Sequence, residues 1–387
     1  MKILITTSTF WPNSDGVANV TLNHALGFLR AGHKVVVATS FHPMRGHLPW
    51  PELTVEQFRV TGTANLFSGI SGETRQYQEF VSTFNGDVIF FHCWQSWTTD
   101  LVLSRLNHLR LKRVLVSHGV STNTMIGSGP SALLRWLGWR PYVWRDMPRT
   151  MPSLDAIVFL SERVDRDRFY DRRLASTIHV SRTAVIPNGV SLEAHDNSLP
   201  GFRRRYGLGD KLVLLCVGTF TEMKDEMKVA KAVLRSGIEG ASLVLVGPEI
   251  NQYAREINAM WAMQQRRAAT VSLLCLADLT PDEILSTYRE ADIYLCGSRT
   301  ECFPLVLLDA MASRTPFVST PVGCVPDLRG GMTAATEESM GDCIARLGCT
   351  PFLRKQLGAE GRADCERRYN WPSVMAQYDR LLRDLYS

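Results

Sequence analysis

Two acidic residues stand eight positions apart in a segment that begins as a loop and continues as an apolar helix. The segment runs from Ser298 to Ala312, and its acids are Glu301 and Asp309. Pro304 suits the first helical position, because the N–H that proline lacks would have no partner there. The first N–H groups of a helix carry partial positive charge, so the segment predicts a site for a diphosphate. Taken alone, the two acids also fit a surface loop and a solvated helix face.

Further candidate residues follow predicted strands in the first half of the chain. His118 comes directly after the apolar run Val114–Val116 and precedes a glycine, and His92 ends another such run. Ligands of open parallel sheets bind beyond the carboxyl ends of the strands, so both histidines are candidate ligand-binding residues. Gly16 lies in the turn after the first strand, where a plain strand–helix connection capped by Asp15 explains the sequence nearly as well.

These residues need sheets to position them, and short apolar runs alternate with helical periodicity along the whole chain. Strands that alternate with helices are joined by crossovers, which predicts parallel sheets covered on both faces. The pattern occurs twice, so we expect two Rossmann-like, doubly wound parallel-sheet domains that face a cleft. Ten runs are predicted strands: Ile3–Ile5, Val35–Val37, Val88–Phe91, Val114–Val116, Ala156–Leu160, Leu212–Val217, Leu243–Val246, Val271–Leu274, Ile293–Leu295 and Phe317–Ser319.

The boundary between the two domains is predicted near residue 192. The stretch from Asn188 to Gly201 is rich in turn formers and polar residues, which is typical of a linker. We therefore place an N-terminal domain at 1–192 and a C-terminal domain at 193–368. A last helix, 369–387, is expected to pack back on the N-terminal domain.

The composition excludes several classes of protein. Apolar residues make up 45% of the 387 residues and charged residues 21%, which is typical of a globular protein and not of disorder or a coiled coil. The 43 basic and 38 acidic residues give a net charge of +5, too small to indicate a nucleic-acid partner. No apolar run approaches the roughly 18–20 residues of a membrane span. The nine cysteines are scattered without a Cys-x-x-Cys pair, which predicts reduced thiols in the cytoplasm and no metal site.

Five of the nine tryptophans lie between Trp94 and Arg149, with arginines interleaved. Sugar rings stack on tryptophan faces, and a Trp/Arg helix also suits an anionic membrane interface. A helix that packs its tryptophans inward and extends its arginines along the surface explains the same residues. The sequence leaves these interpretations open.

The segment that contains Glu301 resembles the GT-B glycosyltransferases of family 4, which are retaining enzymes that use nucleotide sugars. The family's hallmark is Glu, seven residues and Glu, in a helix that ends in Ala-Met-Ala; here it reads Glu301, Asp309 and Ala310-Met311-Ala312. The resemblance spans nearly the whole chain and is strongest over residues 280–328. It implies the GT-B fold and transfer of a sugar from a nucleoside diphosphate, UDP- or GDP-linked, to a hydroxyl of a glycan or lipid-linked saccharide. Cell-surface polysaccharide synthesis is the role it suggests.

Carried over residue by residue, the resemblance assigns Glu301 as a catalytic residue beside the donor sugar. Asp309 matches the residue that binds the nucleotide ribose, but it is one methylene shorter than the family's Glu. Pro304 stands where many members have glycine, so the N–H groups of Phe303 and Leu305 are expected to make more of the diphosphate contacts.

The segment from Val217 to Asp225 resembles a second donor-binding element of the family. The family has an Arg and a Lys that hold the diphosphate and offset the charge that grows on the leaving nucleotide. Lys224 matches the lysine, whereas Thr219 replaces the arginine and Asp225 replaces a glycine. Arg299, in the adjacent loop, is the candidate to compensate for the missing arginine.

In the N-terminal domain, the resemblance gives His118 a catalytic contact to the donor sugar or transition state. The family's glycine-rich loop near the donor phosphates is represented by Gly16 alone. His92 and Trp94 are the predicted acceptor-binding residues. Family likeness also implies that no divalent metal or other cofactor is required, with the helix dipole and Lys224 in place of a cation.

Two other functions remain open from the sequence. A GT-B epimerase or hydrolase would act on the nucleotide sugar without an acceptor, although no acid–base pair of carboxylates stands out in the first domain. A non-catalytic nucleotide-sugar binding protein is favoured by the departures at Thr219, Asp225 and Asp309. For a transferase acting on lipid-linked saccharides, peripheral contact with the inner face of the cell membrane is expected.

Overall fold

The computed structural model describes residues 1–120, 125, 129–163, 167–265 and 271–387. The chain divides into two compact units. Unit 1 comprises Met1–Asn188 and Trp371–Ser387, and unit 2 comprises Gly189–Asn370. The chain thus leaves unit 1 shortly before the boundary predicted at 192, and its last helix belongs to the same unit as its first strand.

Unit 1 is built on a seven-stranded sheet in which every neighbouring pair is parallel. The order is β3-β2-β1-β6-β7-β8-β9, and β4 and β5 form a separate antiparallel hairpin. The strands are β1 Lys2–Thr6, β2 Lys34–Ser40, β3 Thr54–Phe58, β4 Val60–Gly62, β5 Ile70–Gly72, β6 Val88–His92, β7 Lys112–Val116, β8 Ala156–Phe159 and β9 Thr183–Val185. All five residues of β6 are buried, as expected for a strand covered on both faces.

The helices of unit 1 cover this sheet, and the first of them begins at a side-chain cap. The Asp15 carboxylate accepts hydrogen bonds from the N–H groups of Val17 and Ala18 at the start of the first helix, and Gly32, at φ 82°, follows its end. The helices are α1 Gly16–Arg30, α2 Thr74–Thr83, α3 Trp97–Asp100, α4 Pro130–Gly138, α5 Met147–Thr150 and α6 Tyr170–Ala175.

Unit 2 repeats the scheme with a six-stranded parallel sheet. Its order is β12-β11-β10-β13-β14-β15, so counting its strands from the first gives 3-2-1-4-5-6, the Rossmann order. The strands are β10 Leu212–Val217, β11 Ala241–Gly247, β12 Val271–Ala277, β13 Ile293–Cys296, β14 Phe317–Ser319 and β15 Gly331–Thr333. The helices are α7 Leu192–Asp196, α8 Phe202–Arg205, α9 Glu226–Arg235, α10 Gln252–Gln265, α11 Pro281–Glu290, α12 Leu305–Ala312, α13 Glu337–Cys349 and α14 Pro351–Asp364.

The last helix, α15 Trp371–Tyr386, packs on α1 within unit 1. A Cβ at Gly27 would lie 2.6 Å from the Met375 side chain, so a glycine there permits the close approach of the two helices. The Tyr386 hydroxyl donates to the Asp87 carbonyl at 2.6 Å, and Arg182 forms an ion pair with Asp384.

Each sheet has one switch point, where the strand order reverses beside its first strand. In unit 1 it lies between β1 and β6, and in unit 2 between β10 and β13. Ligands of such sheets bind outside the carboxyl ends of the strands at this point. The loops that follow β10 and β13 carry Thr219, Lys224 and Glu301, so the fold brings the predicted donor-binding segments of unit 2 to one edge.

Among the residues the structure describes, no helix is both long enough and apolar enough to cross a bilayer. None of the nine cysteines forms a disulfide.

Candidate functional site

The loop between β13 and α12 places Glu301 against two polar side chains. Glu301 Oε1 lies 2.6 Å from the Lys224 ammonium and accepts a hydrogen bond from Ser298 Oγ at 2.9 Å. Its side chain is 14% exposed, whereas that of Lys224 is 32% exposed. Sequence analysis assigned no role to Ser298, although it stands three residues before Glu301. The carboxylate is therefore held in place at the edge of the sheet, with its charge balanced by one lysine.

The backbone around Glu301 is fixed by the segment that follows β14. Gly323 has φ 49°, and a Cβ there would lie 2.4 Å from the carbonyl oxygens of Glu301 and Cys302. Only glycine fits this close approach without displacing the Glu301 loop. Thr320 Oγ1 also donates to the Ser298 carbonyl at 2.6 Å, and Cys324 N to the Cys302 carbonyl at 3.1 Å.

The turn between β10 and α9 carries Lys224. Its backbone N–H donates to the Thr221 carbonyl at 3.1 Å, and Arg299 N donates to the Met223 carbonyl at 2.8 Å, which ties the two loops together. Burial acts to lower the pKa of Lys224, but the Glu301 carboxylate outweighs it and keeps that pKa above its usual value. Lys224 is therefore charged at neutral pH. Thr219, where the resemblance expects an arginine, is exposed.

Asp225 takes a left-handed backbone conformation where the resemblance expects a glycine, and its carboxylate binds Arg299. Its φ and ψ are 51° and 49°, values that glycine adopts freely and that Asp tolerates better than most residues. One carboxylate oxygen caps α9 by accepting from Lys228 N, and the other accepts from Arg299 Nε at 2.9 Å. Arg299 is thus held by an acidic neighbour, which weakens the prediction that it replaces the missing arginine.

Helix α12 starts one residue later than predicted. Pro304 has an extended ψ of 108° and occupies the capping position, so Leu305 and not Pro304 is the first helical residue. No side chain among the described residues caps this helix, and its first turn contains no acid. Its leading N–H groups can therefore bind an anion. Phe303, directly before the cap, is buried.

Asp309 contacts His195, a residue that the sequence did not single out as part of the site. Its Oδ1 lies 3.1 Å from His195 Nε2, and His195 Nδ1 lies 2.7 Å from Ser313 Oγ. The Asp309 side chain is one-third exposed, so one face still reaches solvent. His195 lies 114 positions earlier on α7, a separation that no local pattern reveals.

A second carboxylate, Glu226, is buried beneath the Lys224 turn. It is 1% exposed, and neither of its oxygens has a hydrogen-bond partner among the described residues. Glu226 Oε1 would lie 3.4 Å from a Cβ at Gly218, close to the stem of Lys224. Desolvation raises the pKa of Glu226 from 4.5 to about 7.

We expect Glu226→Leu to stabilise unit 2 above neutral pH. The unfolded chain releases the Glu226 proton near pH 4.5 and the folded chain only near pH 7. The free energy of unfolding of the wild type therefore decreases as the pH rises from 4.5 to 7. The resulting difference is about 3 kcal/mol at pH 8, from the ~1.4 kcal/mol that each pKa unit represents, and it should vanish near pH 4. Urea unfolding at several pH values measures it. Glu222→Leu, at an exposed site in the same turn, is the control. A pH-independent difference would contradict the assignment.

In unit 1, the residues after β7 are fixed by a buried aspartate. Ser117 Oγ and Trp94 Nε1 both donate to Asp171 Oδ2, the latter at 3.0 Å. Gly119, at φ 80°, donates its N–H to Ser117 Oγ. Burial raises the pKa of the Asp171 carboxyl to about 6. Trp94 is buried and directed at Asp171, so the prediction that it binds an acceptor does not fit the structure.

His118 is the outer member of three hydrogen-bonded imidazoles, which we call the histidine chain. His118 Nε2 lies 3.1 Å from His92 Nδ1, and His92 Nε2 lies 3.4 Å from His24 Nδ1. His92 is 1% exposed and both of its ring nitrogens are occupied, so the acceptor contact of His92 stays a prediction that the structure disfavours. His118 is partly exposed and stays a candidate for ligand contact.

The start of α1 offers less to an anion than the resemblance suggests. The Asp15 carboxylate already accepts from the first helical N–H groups, and Thr9 Oγ1 donates to the same oxygen at 3.1 Å. The interpretation of this turn as a capped strand–helix connection is confirmed. The phosphate contact of Gly16 stays a prediction that Asp15 disfavours.

Among the described residues, no group of three or more His, Cys, Asp or Glu side chains is arranged to hold a metal ion. The charged centre of unit 2 is instead the Lys224–Glu301 pair.

Two family models match this chain in sequence. The model described as "Glycosyltransferase Family 4" matches residues 14–194, and that described as "Glycosyl transferases group 1" matches residues 211–348. Together they cover most of the chain.

Curated relatives are identical to this chain at about a quarter of the aligned positions. Alpha-maltose-1-phosphate synthase from Mycolicibacterium smegmatis is 24% identical over 247 residues, which is 58% of this chain and 62% of the relative. D-inositol 3-phosphate glycosyltransferase from Mycobacteroides abscessus is 27% identical over 218 residues, 53% of this chain and 48% of the relative. The chain thus spans about half to three fifths of the length of the curated relatives that it matches.

Solved structures match over the full length. Sucrose-phosphate synthase from Thermosynechococcus elongatus superposes with a TM-score of 0.77 at 18% identity, covering 100% of this chain and 99% of that one. HepE from Anabaena, in complex with UDP and glucose, gives a TM-score of 0.73 at 16% identity, covering 99% and 100%. These likenesses confirm the predicted fold class, GT-B with two Rossmann-like parallel sheets.

Proposed function

Since the chain belongs to the group 1, family 4 glycosyltransferases, we propose that it is a retaining enzyme that transfers a sugar from a nucleoside diphosphate to a hydroxyl group. The observation that carries the proposal is the placement of Lys224, Glu301 and the uncapped start of α12 at one edge of the unit 2 sheet. A cation and free N–H groups suit a diphosphate, and a held carboxylate suits the sugar beside it.

The proposed chemistry assigns each group to a charge that changes during transfer. As the bond between the anomeric carbon and the diphosphate breaks, negative charge grows on the leaving nucleotide, where Lys224 and the N–H groups of α12 offset it. Positive charge grows on the sugar ring, where the Glu301 carboxylate offsets it. The leaving phosphate takes the proton of the acceptor hydroxyl, which attacks the same face and retains the configuration. Asp309 is assigned to the nucleotide ribose through its exposed side.

We propose that the reaction needs no divalent metal, because Lys224 and α12 supply the positive potential. The donor is proposed to be UDP- or GDP-linked, with UDP-glucose tested first because of the ligands named for HepE. The acceptor is proposed to be a glycan or lipid-linked saccharide in cell-surface polysaccharide synthesis. Three relatives and neighbours are named for sugar or inositol phosphates, so such phosphates belong in the acceptor panel.

One assay tests the proposal against its two alternatives. The protein is incubated with UDP- and GDP-sugars, with and without acceptors, in buffer containing EDTA, and free nucleotide and sugar products are measured. Nucleotide release that requires an acceptor supports transfer. Release or sugar isomerisation without any acceptor would identify a hydrolase or epimerase. Nucleotide binding without turnover would identify a non-catalytic binding protein.

A patch of unit 1 supports membrane contact for a transferase of lipid-linked saccharides. On α4, Leu133, Leu134 and Leu137 are all exposed at helical spacing. The exposed Leu66 and Phe67 lie beside the end of the same helix, since Leu66 N donates to the Gly138 carbonyl at 2.9 Å and a Cβ at Gly138 would touch Phe67. We call these five apolar side chains the α4 patch.

We propose that the α4 patch docks on an anionic membrane surface. Exposed Arg135 lies on the same helix, and the Arg140 guanidinium lies over the rings of Trp136 and exposed Trp144 at 4.1 and 5.6 Å from their centroids. Apolar side chains beside arginines match the boundary between acyl chains and anionic headgroups.

Leu133→Ser combined with Leu137→Ser should lower binding to phosphatidylglycerol vesicles by about 10-fold or more, since each buried leucine contributes roughly 1.5–3 kcal/mol. Co-sedimentation measures it, with phosphatidylcholine vesicles testing the charge requirement. Leu199→Ser, at a more exposed leucine of unit 2, is the control. Equal sedimentation of both variants would contradict the proposal, as would concentration-dependent dimers that only the wild type forms.

A further inference from the structure

The histidine chain has a geometry that determines where its protons lie. It runs from the partly exposed His118 through the buried His92 to His24, which is 1% exposed. The His24 ring is enclosed by aromatic residues, with centroids of Tyr378 and Trp371 at 4.5 and 5.6 Å. The histidine chain thus connects His118, a candidate for ligand contact, to an apolar interior.

Each imidazole of the histidine chain is uncharged at neutral pH and carries one N–H proton. Burial lowers the pKa of His24 to about 3 and that of His118 to about 4, and that of His92 also falls well below its ordinary value. The Arg168 guanidinium adds to the effect at His118, and the neighbouring imidazoles add to it at His24 and His92. Three neutral imidazoles joined by two hydrogen bonds must all donate in the same direction along the chain.

The direction is set by the inner end. His24 Nε2 is buried and has no hydrogen-bond partner among the described residues. If the hydrogen bonds of the histidine chain pointed inward, this nitrogen would carry an N–H without an acceptor. In protein interiors a buried N–H without an acceptor is rarer than a buried lone pair without a donor. If the hydrogen bonds point outward, the nitrogen carries only a lone pair among aromatic rings. Outward donation therefore costs less: His24 Nδ1–H to His92, then His92 Nδ1–H to His118 Nε2.

We propose that His24 and His92 are positioning residues that hold His118 in the tautomer with its proton on Nδ1. His118 then presents an N–H donor, and not a lone pair, to a ligand oxygen. That this oxygen belongs to the sugar substrate rests on the proposed function, whereas the tautomer itself does not.

A neighbouring group fits the same kind of ligand atom. Arg168 Nη2 lies 3.5 Å from the His118 carbonyl, and Arg168 Nε is buried without a hydrogen-bond partner among the described residues. A guanidinium and an imidazole N–H both require an acceptor. The oxygen bound here is therefore an acceptor, such as a phosphoryl oxygen or the lone pair of a hydroxyl, and not a hydroxyl acting as donor.

Nitrogen NMR of the ¹⁵N-histidine-labelled full chain measures the tautomer directly, in the absence of any substrate. His118→Asn, which removes one spin system, assigns the resonances. We expect His118 Nδ1 to show the shift of a protonated ring nitrogen and Nε2 that of an unprotonated one. The opposite assignment would overturn the proposal without affecting the proposed function, because no turnover is measured.

Two substitutions of His24 separate positioning from packing. His24→Leu removes the inner donor, so we expect a measurable fraction of His118 to convert to the Nε2–H tautomer. His24→Asn places an amide N–H where Nδ1 stood, and we expect it to restore the wild-type tautomer, since the reversed amide would leave both of its hydrogens unpaired. Circular dichroism and thermal unfolding check that both variants fold.

The kinetic consequence follows the tautomer and not the stability. With acceptor-dependent release as the readout, His24→Leu should lower kcat by about 10-fold, the lower end for losing a partner that orients a functional histidine, while UDP affinity stays unchanged. His24→Asn should recover most of the loss. An equal loss in both variants, or a wild-type tautomer in His24→Leu, would overturn the proposal.

Discussion

Glu301→Gln is expected to reduce acceptor-dependent transfer by about 10²- to 10³-fold, the scale for removing one preorganised electrostatic group, while it strengthens the binding of UDP. The two effects have opposite signs because the carboxylate has two partners. In the transition state it offsets charge on the sugar. In the ligand-free enzyme it engages the Lys224 ammonium at 2.6 Å, so a diphosphate must compete with it for that cation.

The amide of Gln keeps the size of the side chain and its hydrogen bond from Ser298, but it lacks the charge. Lys224 is then less strongly held. UDP binding no longer has to break the ion pair between Lys224 and Glu301, so the free energy of binding becomes more favourable. Calorimetric titration with UDP and initial rates with saturating acceptor give the two quantities. Glu222→Gln, an exposed carboxylate in the same turn as Lys224, is the matched control. Unchanged turnover in Glu301→Gln would remove the residue from the mechanism.

The parallel sheets were predictable because their central strands are covered on both faces. Runs such as Leu212–Val217 and Phe317–Ser319 became strands with the predicted bounds. The strands that sequence analysis missed are shorter or more polar. In β3, Thr54–Phe58, three of the five residues are polar and only Phe58 is buried, as expected where the edge of a sheet meets solvent. The strand Gly331–Thr333 has a single apolar side chain, so it forms no apolar run to detect.

The charged centre of unit 2 could be anticipated from resemblance, but its pairing could not. Lys224 and Glu301 are separated by 77 positions, and only the Rossmann order brings β10 beside β13. Arg299 illustrates the limit: a motif reveals a missing arginine but not that Asp225 already binds the candidate replacement.

The structure disfavours the acceptor-binding predictions for His92 and Trp94 for a physical reason. His92 ends β6 and Trp94 lies two residues beyond it, where exposure depends on what packs above the strand. Trp94 bonds to Asp171, which lies 77 positions later, and His92 bonds to His24, 68 positions earlier. Such partners are set by the tertiary fold, so residue type and strand end were not sufficient to predict exposure.

Lys224→Met tests the other half of the pair, and we expect it to lower kcat/KM for the donor by about 10²-fold or more, since a preorganised cation on the leaving group is lost. UDP affinity should fall as well, in contrast with its rise in Glu301→Gln. Methionine keeps the apolar stem of the lysine, which the turn packs around, and removes only the charge. Lys228→Met, one turn into α9, is the control for loss of a positive charge near the site.

The double substitution Glu301→Gln with Lys224→Met measures the coupling energy between the two residues. If Glu301 affects UDP binding only through its ion pair with Lys224, Glu301→Gln has no effect on UDP affinity once Lys224 is gone, and the double-mutant cycle measures this coupling. For turnover, the expected coupling is smaller, because each group then contacts a different part of the substrate. A Lys224→Met enzyme with wild-type UDP affinity would show that the diphosphate is held elsewhere, and the proposed roles of Lys224 and Glu301 would both fall.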